Sequence, residues 1–156
     1  MAELSVLKRG REYMAKSRAF ISFDFDNDDT WRNLFVGQGK NPDTPWEIAD
    51  LSSKEALAQS KWEEIIRDKI NKCHMVIVLV GKHMGSASGV VKEITMAKSQ
   101  DVPLFGVYVD DANSSSTLPD GLARSRTITW TWDNVTKMVD QMMKEGKNAQ
   151  KRASWW

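Results

Sequence analysis

Four aspartates crowd six positions near the start of the chain, Asp24, Asp26, Asp28 and Asp29, within "FDFDNDDT". Phe23 and Phe25 stand among them, and Asn27 adds an amide. Carboxylates at this density suit a divalent cation, a phosphoacceptor site or a grip on sugar hydroxyls. The plain alternative is a solvated turn at a strand end. A second stretch, "GKHMGSASGVVKE", supplies Gly81, Gly85 and Gly89, the hydroxyls of Ser86 and Ser88, the imidazole of His83 and finally Glu93. Spacing alone leaves Glu93 open between a working carboxylate and an ordinary helix-face glutamate. It likewise leaves His83 between substrate contact and solvent, and Trp46 between stacking platform and core.

Several chemistries fall away on residue type. A phospho-receiver domain also carries an acidic pair after its first strand, but it needs an aspartate ending the third strand and a lysine after the fifth. Here those strands end "VLVGKHMGS" and "TITWTW". A dinucleotide or flavin phosphate cradle needs glycine after the first strand, and none occurs between Gly10 and Gly37. One cysteine, Cys73, and two histidines, His74 and His83, do not offer the usual zinc spacings, so no metal is expected. Cys73 and His74 are adjacent, and strand alternation turns neighbours to opposite faces, which argues against a Cys-His nucleophile. Lys plus Arg number 22 against 21 Asp plus Glu, and a net charge of +1 gives no general pull on nucleic acid.

The two polar stretches need a scaffold that brings strand ends together, and the hydrophobic pattern supplies one. "AFISFDF", "WEIADLS", "HMVIVLVG", "VPLFGVYV" and "RTITW" read as strands, the third and fourth as unbroken apolar runs buried on both faces. Between them lie helical patterns: "DTWRNLFVG" and "SGVVKEITMAKSQ", the latter with Val90, Ile94 and Ala97 inward, and "WDNVTKMVDQMMKEGK" at the end. The clearest helix, "SSKEALAQSKWEEIIRDKINKC", puts Ala58, Trp62, Ile65, Ile66 and Ile70 on one stripe, with Ser52 or Ser53 and Glu55 as a capping box. Asp28 and Asp29 are expected to favour the N-terminus of the first helix. Regular strand-helix alternation predicts a doubly wound α/β sandwich, whose functional residues gather beyond the carboxyl ends of its strands. Both polar stretches lie at such ends. The polar loop 110–122 is long enough for function or motion. Residues 1–16 read as a helical N-terminal extension, 17–146 as the domain, and 147–156 as a tail ending in Trp155 and Trp156.

The segments "RAFISFDFDNDDTWRNLFVGQGKN", "WEIADLSSKEAL", "KWEEIIRDKINKCHMVIVLVGKH" and "GVVKEITMAK" together resemble the TIR-like proteins of the bacterial Thoeris anti-phage system. The resemblance spans residues 18–109. It implies a flavodoxin-like three-layer sandwich on a five-stranded parallel sheet. It also implies an enzyme that consumes NAD as substrate, with no other cofactor, and makes a cyclic ADP-ribose-type second messenger that activates a separate effector. The family's catalytic glutamate sits early in the helix after the third strand, and the matching position is Glu93. On that reading Phe23, Asp24, Phe25, Asp26, Asn27, Trp46, His83 and Ser86 line the substrate pocket. The phenylalanines and Trp46 would exclude water, while Asp24, Asp26 and Asn27 would hold ribose hydroxyls or the nicotinamide amide. "ADLSSKEAL" lacks the proline-containing second loop of animal receptor TIR domains, so their partner-binding roles are not carried over.

Two other functions stay in view: a nucleoside deoxyribosyltransferase-like enzyme and a non-catalytic TIR-like scaffold that signals by assembly. No run approaches the roughly 20 apolar residues of a membrane span, and the N-terminus has no signal-peptide core. A cytoplasmic protein is expected, with NAD, a phage-derived trigger and a second copy of the chain as partners, and neither nucleic acid nor membrane among them.

Overall fold

Six consecutive apolar residues, Met75–Val80, form strand β3, and each has no accessible surface. Burial on both faces is what an unbroken apolar run requires, and β3 obtains it at the centre of a parallel sheet. The computed structural model describes residues 17–24, 27–40, 48–50, 59–84 and 87–149. Among these, β1 (Ser17–Ser22), β2 (Ile48–Asp50), β3, β4 (Leu104–Tyr108) and β5 (Thr127–Thr129) pair in the order β2-β1-β3-β4-β5, every pair parallel. Helices α1 (Asp29–Lys40), α2 (Gln59–Asn71), α3 (Ser88–Ser99) and α4 (Trp132–Met142) fill the crossovers and close the chain.

Strand alternation divides the core into two layers. Phe20 of β1 and Val76, Val78 and Val80 of β3 face α2 and α3, meeting Ile66, Ile70, Val90 and Ile94. Ile21 of β1 and Ile77 and Leu79 of β3 face the other way, meeting Phe35 of α1 and Val135, Val139 and Met142 of α4. Each fully buried Phe or Ile contributes about 1.5–3 kcal/mol relative to exposure, so these layers dominate stability. Val90, Ile94 and Ala97 are buried as their spacing predicts. Ile65, counted on the inward stripe of α2, is 37% exposed, because Ile66 one position on takes the place against the sheet. The capping box proposed around Ser52, Ser53 and Glu55 lies outside the described residues, as do Ala58, residues 1–16 and the end of the tail.

The strand order reverses between β1 and β3, creating the crevice at their carboxyl ends where such folds seat ligands. Elsewhere the chain is well tied. The loop after β4 is held by the Arg124 guanidinium, which donates to the carbonyls of Ser114 and Ser116. Packing continues past residue 146: Asn148 is 4% exposed and its amide donates to the carbonyls of His74 and Met142. The turn into that segment needs Gly146, whose φ is 55° and whose Cβ would lie 2.4 Å from the Asp101 carbonyl oxygen. No helix among the described residues is long and apolar enough to cross a membrane.

Candidate active site

β1 ends at Ser22, and Ser22 shares a face with Phe20, the side on which α3 packs. Glu93 stands in the second turn of α3 and reaches toward the same strand end. The two meet: the Ser22 hydroxyl donates to Glu93 Oε1 at 2.7 Å. Ser22 has no accessible surface, and Glu93, half-buried as a residue, turns its carboxyl inward. Burial pushes the Glu93 carboxyl up to about 8, against the opposing pull of the Ser22 hydrogen bond. Burial thus favours the protonated form of Glu93, and a positive charge beside it would favour the ionised one.

The acidic loop divides into parts with different surroundings. Asp24 is 8% exposed, and its Oδ2 accepts from the Asn27 side-chain amide at 2.6 Å. Its carbonyl accepts from the backbone N–H groups of Asn27 and Asp28, making a tight turn before α1. Phe23 follows the strand's alternation onto the opposite face, where it packs on the layer under α1 and α4 with the Arg32 guanidinium 6.0 Å from its ring centre. It does not share Glu93's side of the sheet. His83 is exposed, and its charge acts on Asp28. Phe25, Asp26, Trp46 and Ser86 lie outside the described residues.

Asp28 departs from its expected role. Its carbonyl opens α1 by accepting from Arg32, yet its carboxylate caps nothing: both oxygens are buried and without a hydrogen-bond partner. The side chain lies against Gly81, where an added Cβ would stand 2.4 Å and 2.5 Å from the two oxygens. Gly81 is thus required by close approach. Burial, then the charges of Asp24 and Asp110, raise the Asp28 carboxyl to about 6, with His83 pulling the other way. Asp28 and Gly81 bring the first loop against the start of the loop after β3. Sequence reasoning missed this contact and missed Ser22.

Cys73 is buried and donates to the Lys69 carbonyl at 3.3 Å, and His74 Nδ1 accepts from the Arg18 backbone at 2.9 Å; both belong to the opposite end of the sheet. Among the described residues no three acidic, His or Cys groups are arranged to hold a metal ion.

The parallel sheet with helices on both faces, and a carboxyl at its switch point, define a doubly wound α/β domain. The family described as Thoeris protein ThsB, TIR-like domain, matches residues 20–114, more than half the chain. The chain belongs to that family, and the matched region contains Ser22, Asp24, Asp28, Gly81 and Glu93. No curated protein matches it. Among solved structures, a prokaryotic SEFIR domain is 16% identical over 83% of this chain and 91% of that one, with a TM-score of 0.45. A 3-dehydroquinate dehydratase-like protein from Bifidobacterium longum is also 16% identical, over 81% and 94%, with a TM-score of 0.42.

Proposed function

We propose that this domain cleaves the nicotinamide–ribose bond of NAD and closes the remaining ADP-ribose into a cyclic second messenger for anti-phage defence. The messenger would activate a separate effector. The observation that carries the reading is Glu93, a buried carboxyl held by one hydroxyl at the switch point of the sheet.

The chemistry suits that carboxyl. The nicotinamide ring of NAD is cationic, so it favours ionisation of Glu93 on arrival and leaves as a neutral molecule when the C–N bond breaks. The electron pair departs with nicotinamide and the ribose carbon becomes oxocarbenium-like. A carboxylate beside it stabilises the developing charge. Capture by an atom of the same molecule, on the adenine or a ribose, closes the ring and releases a proton; capture by water gives linear ADP-ribose instead. Ring closure therefore needs a preorganised, water-poor crevice. On this reading Asp24, tied by Asn27, would hold ribose hydroxyls, with His83, Ser86, Trp46, Phe25 and Asp26 as further lining candidates.

The full chain incubated with NAD, and extracts of infected cells expressing it, should yield nicotinamide and a cyclic product by mass spectrometry. Glu93→Gln should lower both by about 10²–10³-fold or more while leaving the fold intact. With the free-site carboxyl near 8, kcat/KM should rise with pH toward that value, since the ionised form is the working one. Turnover of deoxynucleosides alone would refute the NAD reading, and signalling unaltered by Glu93→Gln would replace it with a scaffold.

A further inference from the structure

We propose that Ser22 is a positioning residue of this site: its hydroxyl clamps one oxygen of Glu93 and leaves the other to face the substrate. The inference rests on the NAD reading and deepens it. Ser22 is the last residue of β1 and lies fully buried, in a strand position otherwise given to apolar side chains. A buried hydroxyl is costly unless it is hydrogen-bonded, and this one donates to Glu93 Oε1 at 2.7 Å. Among the described residues Glu93 makes no second side-chain hydrogen bond, so Oε2 has no competing partner there.

The clamp is built from rigid parts. Ser22 pairs with Val78 of β3 in the sheet register, and Glu93 is bracketed in α3 by the buried Val90 and Ile94. Neither partner sits on a loop, so the oxygen position is set by sheet-helix packing. A carboxylate that must stand close to a ribose carbon gains most from such fixing.

The surrounding charges leave this hydroxyl as the controlling contact. Lys92, the neighbour of Glu93 in α3, is drawn to Glu63 of α2 at 3.5 Å and lies 5.9 Å from the Trp62 ring centre. Asp24, Asp110 and His83 act on Asp28. Among the described residues burial raises the Glu93 carboxyl and only the Ser22 hydrogen bond lowers it. Loss of the hydroxyl therefore moves ionisation further from neutral pH.

Two readouts test this in the full chain. The first is the Glu93 carboxyl resonance in ¹³C-glutamate-labelled protein, assigned by its absence in Glu93→Gln and titrated without substrate. Ser22→Ala should move that titration up by about one pH unit, the expected loss of one hydrogen bond to a charged group. The second is the pH profile of nicotinamide release. Its acidic limb should shift by the same amount, lowering kcat/KM about tenfold at pH 7 and recovering at high pH. Ser22→Thr, which keeps the hydroxyl, should restore both, and Ser22→Cys, a weaker donor, should fall between. An unmoved carboxyl titration in folded Ser22→Ala, or a rate loss equal at every pH, would overturn the proposal. If the wild type releases no nicotinamide, the NAD reading fails while the carboxyl titration still decides the clamp.

Discussion

At the amino rim of the sheet, Arg126 donates to Glu145 at 2.6 Å and to the Leu104 carbonyl at 3.1 Å, and Arg18 donates to the Lys72 carbonyl at 2.7 Å. That rim also has an open cleft of about 320 Å³ beside Lys98, Leu104, Gly121 and Arg126. At the carboxyl rim, among the described residues, the Glu93 carboxyl has one hydrogen bond and the Asp28 carboxyl has none. Among the described residues, Asn148 Oδ1 is the buried side-chain atom of the first rim without a partner. At the second, two carboxyls are buried at a cost that folding alone does not recover. A cleft is therefore a poorer guide to chemistry here than an unanswered charge. The two rims must also respond to pH with opposite sign.

The largest test of that contrast is Glu93→Gln, read as stability. Between about pH 4.5 and 8 the folded protein keeps a proton on Glu93 that the unfolded chain has lost. The folded state binds more protons in this window, so the Glu93 contribution to stability falls as pH rises through it and is flat above. At about 1.4 kcal/mol per pH unit this reaches a few kcal/mol. Urea midpoints measured from pH 5 to 9 should show the variant gaining steadily on the wild type, even as it loses activity. A constant difference across that range would mean that Glu93 is not buried as described.

The next effect tests the contact between the two loops. Gly81→Ala puts a methyl into the Asp28 carboxyl and should cost about 1–3 kcal/mol by overpacking. Asp28→Ala removes the obstructing atoms and the buried charge together. The double variant should be more stable than Gly81→Ala alone, with a coupling energy of about 1 kcal/mol or more in chemical denaturation. Strict additivity would show that the loops are not joined through this contact.

These two sites also show what the sequence could and could not reveal. The unbroken run of β3 and the 3.6-residue spacing in α3 were readable because burial of a whole strand or stripe leaves a pattern in residue type. Glu93 was readable in position, through resemblance, but its burial was not. Ser22 was hidden by being one small polar residue in an apolar strand. The signal existed: Phe20 and Ser22 share a parity, and that parity faces α3, while Phe23 has the other and leaves Glu93's side. Asp28 carried no such signal, because alternation stops at the turn after β1. An aspartate at a helix start ordinarily caps it, and only tertiary contact with Gly81 turns this one inward.

The smallest effect belongs to the amino rim. Burial tends to raise the Glu145 carboxyl, but the Arg126 and Gln141 hydrogen bonds and the Arg126 charge outweigh it and hold the group below its usual value. A depressed carboxylate contributes stability above its unfolded pKa of about 4.5, and that contribution disappears as pH falls below it. Acid thus weakens this rim below about pH 4.5, beneath the window in which it relieves Glu93. The Arg126–Glu145 pair is about one-third exposed on each side, so Arg126→Ala should cost roughly 1 kcal/mol or less at neutral pH. The variant should lose less than the wild type between pH 5 and 3, measured by urea midpoint, and should release nicotinamide at the wild-type rate. A fall in that rate would tie the amino rim to the chemistry and dissolve the division between satisfied and unsatisfied ends of the sheet.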